Sequence, residues 1–256
     1  MTDLMKKPLC IDLFCGLGGF SEGMLAEGWD CIGFDVEQHV YGEHRYPAQL
    51  VVQDVLTLHG SQFKGAALIV ASPPCQFFSY CAMPWSRAKG LAAEVRACPI
   101  RTEKELALFN ACFRIQREAC EAAGHHIPLI VENVRGIQPW VGRARWSFGS
   151  FYLYGDVPAL MPIPSCLAKV PMPPGQDSLT IGFQQMAKLQ MRDEGLKQGG
   201  DWFAEARKGG GGGTSASFGS KSPARKMASA MIAKIPEPLS RYIGRTFHPN
   251  NSSITS

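Results

Sequence analysis

The chain has 256 residues, 45% of them hydrophobic and 19% charged, enough to bury one sizeable α/β domain with a smaller lobe beside it. A formal charge of +4 is too modest to name a polyanionic partner by itself. No apolar run approaches the ~20 residues of a membrane helix. Met1 to Pro8 leads into no signal-type hydrophobic core, and nine cysteines with neither a C-x-x-C pair nor a histidine at zinc spacing read as reduced thiols of a metal-free cytoplasmic protein.

Leu9 to Phe14 is a short apolar run that predicts a first strand. Cys15-Gly16-Leu17-Gly18-Gly19 then predicts a tight turn into a helix over 19–27, with Phe20, Met24 and Leu25 on one face. Ser21 stands where a full G-x-G-x-x-G would end, so the turn alone is equally compatible with a plain strand-to-helix connection. Cys31 to Asp35 forms a second strand ending in an acid, where a nucleoside ribose is often held, although an N-cap would use the same residue. Leu50 to Val52 opens a third strand that closes at Gln53-Asp54-Val55, and Leu68 to Ala71 forms a fourth.

The fourth strand runs into Ser72-Pro73-Pro74-Cys75-Gln76. Two prolines fix φ and remove two backbone donors, so neither sheet nor helix continues there. A cysteine at so rigid a corner is either a nucleophile, where its surroundings favour the thiolate, or a small buried hydrophobe. Residues 76–99 read as a polar, irregular lid. Arg101 to Ala123 predicts a long helix stopped by Gly124. Pro128 to Glu132 is a fifth strand with a carboxylate at its end, and Ser147 to Tyr154 a further one. Strands alternating with helices imply a mostly parallel sheet covered on both faces.

Beyond Gly155 the prolines at 158, 162, 164, 171, 173 and 174 forbid long regular elements, and Gly209 to Gly213 is a flexible run. Between Asp156 and Ala228 nine Lys/Arg face six Asp/Glu, so most of the net positive charge lies there, which suits phosphate contacts as well as it suits a solvated surface. Ala228 to Arg245 is helical, broken at Pro236 and Pro238.

Three segments together resemble the DNA cytosine-5 methyltransferase family: Asp12-Leu13-Phe14-Cys15-Gly16-Leu17-Gly18-Gly19 its cofactor loop, Ser72 to Gln76 its nucleophile loop, and Glu132-Asn133-Val134 its acid motif. They occur in the family's order, each after a predicted strand. The resemblance implies a Rossmann-like class I methyltransferase fold with a small irregular recognition lobe. It divides the chain into a catalytic and cofactor-binding domain over 1–154, a target-recognition region over 155–228, and a C-terminal helix over 229–256 that packs back on the first domain. It implies S-adenosyl-L-methionine as methyl donor, bound by Phe14, Gly16, Gly18, Gly19, Asp35, Val36, Asp54, Val55 and Pro73.

In the implied chemistry, Cys75 adds to carbon 6 of a cytosine flipped out of the duplex and Glu132 protonates ring nitrogen 3. Pro74 orients the base, Asn133 holds the nucleophile loop, and Gln76 stands beside the nucleophile. Ser79, Arg143 and Arg145 are candidate DNA contacts. The two arginines match the family's Gln-x-Arg-x-Arg motif except that Val141 replaces its glutamine, and they lie unusually close to Glu132. Near the C-terminus, Ile235-Pro236-Glu237-Pro238-Leu239 keeps the tail of the family's last motif without its Gly-Asn. The resulting expectation is a monomer that methylates cytosine in double-stranded DNA, of the kind found in phage or restriction-modification systems. A transfer-RNA methyltransferase of the same family and a catalytically inactive DNA-binding relative are the alternatives.

Overall fold

The computed structural model describes residues 7–79, 85–159, 161, 226–227, 230–231 and 233–254. Residues 80–84 of the expected lid and most of the expected recognition region, including Gly209 to Gly213, lie outside the described residues. Seven strands form one sheet: β1 (Leu9–Leu13), β2 (Asp30–Asp35), β5 (Gln49–Val52), β6 (Leu68–Ala71), β7 (Leu129–Asn133), β8 (Trp146–Phe148) and β9 (Phe151–Gly155). Their order is β5-β2-β1-β6-β7-β9-β8, and a small hairpin of β3 (Val40–Tyr41) and β4 (His44–Arg45) stands apart.

The pairs from β5 to β7 are parallel; β9 runs antiparallel to both β7 and β8. This is a Rossmann-like, mostly parallel sheet with an antiparallel edge. The expected single strand over 147–154 is thus a hairpin, turned at Gly149, whose φ of 58° suits the tight reversal.

Burial on both faces explains the unbroken apolar runs of β6 and β7, all of whose residues are buried. Period-two alternation sorts them into two cores. Ile11, Ile69, Leu129 and Val131 pack with Phe109, Cys112, Ile115 and Ala119 of α3 (Pro99–Ala123). Cys10, Leu68, Val70 and Ile130 pack with Phe20 and Met24 of α1 (Gly19–Ala26) and with Leu239 and Ile243 of α5 (Glu237–Phe247).

Two expectations change. The stretch over 76–99 is not irregular throughout: α2 (Trp85–Ala97) occupies its second half, anchored by buried Val95, and Pro99 starts α3 two residues earlier than expected. Pro236 does interrupt the helical stretch, since described residues 226–227, 230–231 and 233 are helical and 234–236 are not, but Pro238 does not: it lies in the first turn of α5, behind Pro236 as N-cap, where the missing N–H costs nothing. A short helix α4 (Gln138–Val141) lies between β7 and β8.

The chain's last described helix lies against its first. Glu27 bonds Arg241 at 2.7 Å and Arg245 at 2.9 Å, and Trp29 donates its indole N–H to the carbonyl of Gly244 at 3.0 Å. The Arg245 and Arg241 bonds pull the Glu27 carboxyl from 4.5 down to about 2. Because the folded value is depressed, this contribution is complete above the ordinary carboxylate range and is lost as pH falls from 4.5 through about 2. Glu27→Gln should therefore lower the melting temperature at neutral pH and lose that deficit in strong acid. Calorimetric scans across the acid range check this; an equal deficit at every pH would contradict it.

Candidate active site

Strand order reverses between β1 and β6, and in open α/β sheets the ligand crevice lies at the carboxyl ends of the strands at that point. The glycine turn after β1 and the proline corner after β6 both emerge there. Leu13 pairs Ala71, and Ala71 pairs Val131, so the turn, the corner and the end of β7 leave three neighbouring strands at one level.

The turn is wound tightly. Phe14 adopts φ 56°, a left-handed conformation costly for a residue with a side chain, and Gly16 and Gly18 follow at 51° and 78°. The N–H of Gly16 donates to Asp35 at 2.9 Å, tying the turn to the end of β2. Burial raises the Asp35 carboxyl, but His39, 3.6 Å away, and the N–H of Gly16 outweigh this and hold it below the usual range. The same ion pair raises His39 above its ordinary value.

The three glycines divide by what stands beside them. A side chain at Gly18 would strike Pro47 and Tyr46, and one at Gly19 would strike the backbone of Ile235. Beside Gly16 there is open space, so this glycine keeps a ligand face clear. Val36 is exposed, whereas Val55 is buried in the core, leaving only its backbone to face a ligand. Asp54 is exposed and caps the following turn by accepting from the N–H of Leu56 at 2.9 Å.

At the proline corner Pro73 is buried, Pro74 and Gln76 are exposed, and Cys75 is half-buried. Asn133 donates its side-chain N–H to the carbonyl of Pro73 at 3.1 Å and accepts from the N–H of Val134 at 2.9 Å. One side chain at the end of β7 thus holds the corner that presents the thiol. The hydroxyl of Ser79 is turned back onto the same corner, 2.9 Å from the carbonyl of Cys75 and 3.4 Å from its sulfur. Phe78 stacks beside Trp140 at 5.3 Å between ring centroids and seats the corner on the α3-side core.

Glu132 is 4% exposed and follows three buried apolar residues of β7. Alternation places it on the same sheet face as Ile130, the face that carries Val70 and Asp12. Ser72 follows Ala71, and its buried hydroxyl has no hydrogen-bond partner among the described residues. The orphaned Ser72 hydroxyl, together with the clear face of Gly16 and the acid at the end of β2, is the donor set that a polar nucleoside cofactor satisfies. The residues therefore fit S-adenosylmethionine.

Arg143 and Arg145 are exposed and do not join this cluster. With Phe109, Phe113, Trp140 and Tyr154 they line a separate groove of about 480 Å³ on the α3 side. Sequence reasoning missed Asp12, Ser21, Tyr46 and His39, which lie behind and beside the turn. Among the described residues no group of three His, Cys, Asp or Glu side chains could hold a metal, and no helix is long and apolar enough to cross a membrane.

Comparison with known proteins brings in the family. The family model described as C-5 cytosine-specific DNA methylase matches residues 9–92. Among solved structures, the chain is similar to a candidate DNA modification methyltransferase encoded within an E. coli prophage, at 25% identity and a TM-score of 0.35, covering 51% of this chain and 33% of that one. It is similar to the S. pombe Dnmt2 methyltransferase at 15% identity and 0.32, covering 52% and 36%. It is also similar to the Entamoeba histolytica methyltransferase EhMeth at 14% and 0.34, covering 53% and 40%. The chain thus spans about a third of the prophage structure's length. No curated protein sequence matches it. The matched residues 9–92 include both the glycine turn and the proline corner, so it is this part of the chain that is similar to the C-5 cytosine-specific DNA methylase family.

Proposed function

We propose that the protein transfers a methyl group from S-adenosylmethionine, the cofactor of the family it resembles, to carbon 5 of cytosine in DNA. The observation that carries this reading is the Asn133–Pro73 bond of 3.1 Å, which couples the acid strand to the cysteine corner at the sheet's ligand edge. A held thiol and a buried carboxyl carried to one sheet edge are what activation of cytosine requires, because carbon 5 of the ring is a poor nucleophile until charge is pushed onto it.

The Cys75 thiolate forms a bond to carbon 6 of the flipped base, and the Glu132 carboxyl gives its proton to nitrogen 3 as the ring accepts the electron pair. Carbon 5 then carries the density of an enamine. The cofactor supplies the electrophilic methyl group when bound. Solvent takes the carbon 5 proton, Cys75 leaves as thiolate, and nitrogen 3 returns its proton to Glu132, which restores the aromatic ring. Asp35 would receive the ribose hydroxyls, and Phe14, Val36, Asp54 and Pro73 would border the nucleoside. The region over 155–228 would select the target.

Transfer of labelled methyl groups to duplex DNA and to RNA, assayed side by side, tests the reading. Label in the cytosines of DNA is the expected result. Label in RNA alone would move the activity to the RNA branch of the family, and binding of DNA without transfer to either would mark an inactive relative.

A further inference from the structure

Behind the glycine turn lies a buried polar chain that the proposed chemistry does not use. Asp12, 2% exposed, stands one residue before the end of β1; Ser21, fully buried, lies in the first turn of α1; Tyr46, 8% exposed, precedes β5. Ser21 donates its hydroxyl to Asp12 at 2.6 Å, and the Tyr46 hydroxyl lies 2.6 Å from the Ser21 oxygen. Serine has one proton to give. With it committed to Asp12, Tyr46 must be the donor to Ser21, so donation runs from Tyr46 through Ser21 and ends on Asp12.

The chain bridges the two ends of the turn. Asp12 and Ser21 flank residues 14–18, where Phe14 holds its costly φ of 56°. Strain of that kind persists only where the surroundings over-determine it. The Tyr46 ring is wedged to the same end: a side chain at Gly18 would lie 2.9 Å from Tyr46 Cδ2, and one at Gly33 would lie 2.4 Å from Tyr46 Cζ. Two glycines are thus given over to admitting this ring, and its hydroxyl then finishes the chain. Apolar packing needs no such polar termini, and burying three polar groups costs more than it returns unless every one is satisfied.

We propose that Tyr46, Ser21 and Asp12 form a positioning relay that holds the cofactor turn in its binding shape and favours the cationic methyl donor over its neutral product. The inference rests on the cofactor assignment above. The groups that face Asp12 are Cys10 on β1, Cys15 in the turn, Asp35 on β2, and Tyr46. His39 stands beyond Asp35. Burial above all pushes Asp12 up to about 7; the Ser21 bond opposes this and the charge of Asp35 adds to it. Near neutral pH the relay therefore passes between a neutral and an ionised terminus. The ionised form accepts more strongly from Ser21 and places a negative charge behind a site for a sulfonium.

The test measures the dissociation constants of S-adenosylmethionine and S-adenosylhomocysteine by calorimetry across neutral pH, with melting temperatures of the free proteins. The Tyr46→Phe variant keeps the ring and removes only the donor. It should weaken S-adenosylmethionine binding about five- to tenfold, the scale of one buried hydrogen bond, and raise its KM while leaving kcat at saturation unchanged. In the wild type, the preference for S-adenosylmethionine over S-adenosylhomocysteine should rise several-fold as Asp12 ionises; in Asp12→Asn it should be flat. The α-amino group common to both ligands cancels in that ratio. Binding unchanged in Tyr46→Phe, or the same pH profile in Asp12→Asn and wild type, overturns the relay. Failure of the wild type to bind either ligand overturns the cofactor assignment instead.

Discussion

Replacing Cys75 with alanine should abolish methyl transfer, by roughly 10⁴-fold or more, and leave the fold and DNA affinity in place. The magnitude follows from the role: without a sulfur at carbon 6 the ring never becomes an enamine, and removal of a nucleophile of this kind costs on the order of 10⁶ in other covalent enzymes. The silence elsewhere follows from the structure. Cys75 is half-buried, its sulfur is approached by the Ser79 hydroxyl, and it belongs to neither core. Its truncation opens no internal cavity.

A melting temperature within a degree or two of the wild type would accompany the loss. DNA carrying 5-fluorocytosine provides the complementary measurement. Fluorine cannot leave carbon 5 as a cation, so the wild type should remain joined to the DNA through sulfur, and the variant should not. A variant that still methylates, or a wild type that forms no adduct while methylating, would remove residue 75 from the chemistry.

Glu132→Gln should lower kcat by about 10²- to 10⁴-fold, the usual worth of a positioned proton donor. The swap keeps the volume of a side chain only 4% exposed, and an amide in its place still donates a hydrogen bond. What it removes is the transferable proton. Cofactor affinity should stay unchanged because the loss falls on the ring nitrogen of the base. A carboxyl near the end of a fully buried strand is costly to keep, and a packed apolar residue would serve stability better. Single-turnover rates across neutral pH would show the deficit. A variant retaining more than a tenth of the wild-type rate would reassign the acid.

The strands were legible wherever burial on both faces wrote an unbroken apolar run. β6 and the first three residues of β7 are such runs, β1 is apolar but for Asp12 and β2 but for its end residues, and the polar ends Asp35, Ser72 to Gln76 and Glu132 mark the functional edge. α2 was not legible because its sequence, with Arg87, Lys89, Glu94 and Arg96, carries too few apolar residues to set a period; Val95 is its one fully buried anchor among the described side chains. The hairpin of β8 and β9 was hidden because Gly149 and Ser150 interrupt a run whose aromatic residues continue through both strands. Pro238 misled because the same residue that ends a helix interior also starts one.

Within the site, the residues of one motif were legible and their far partners were not. Asp12 sits in the same run as Phe14 and Gly16, but nothing in the local pattern links it to Ser21, and less still to Tyr46, a lone aromatic between two short strands. The glycines show the same limit. Gly18 and Gly19 have the spacing of a ligand loop, yet the space beside them is taken by Tyr46, Pro47 and Ile235, and only tertiary packing decides which neighbour a missing side chain admits.

The seat of Ile235 against Gly19 and of Ser240 against Gly23 has a consequence for synthesis. A nascent chain that has emerged as far as Gly155 holds all seven strands, but the outer side of its first helix is still bare, with Phe20, Met24 and Trp29 lacking their cover. Sheet formation and burial of this helix face are thereby separated in time on the ribosome. Two pieces made apart, one ending after Met161 and one beginning at Lys226, would have to find each other before Phe20, Met24 and Trp29 gained their cover.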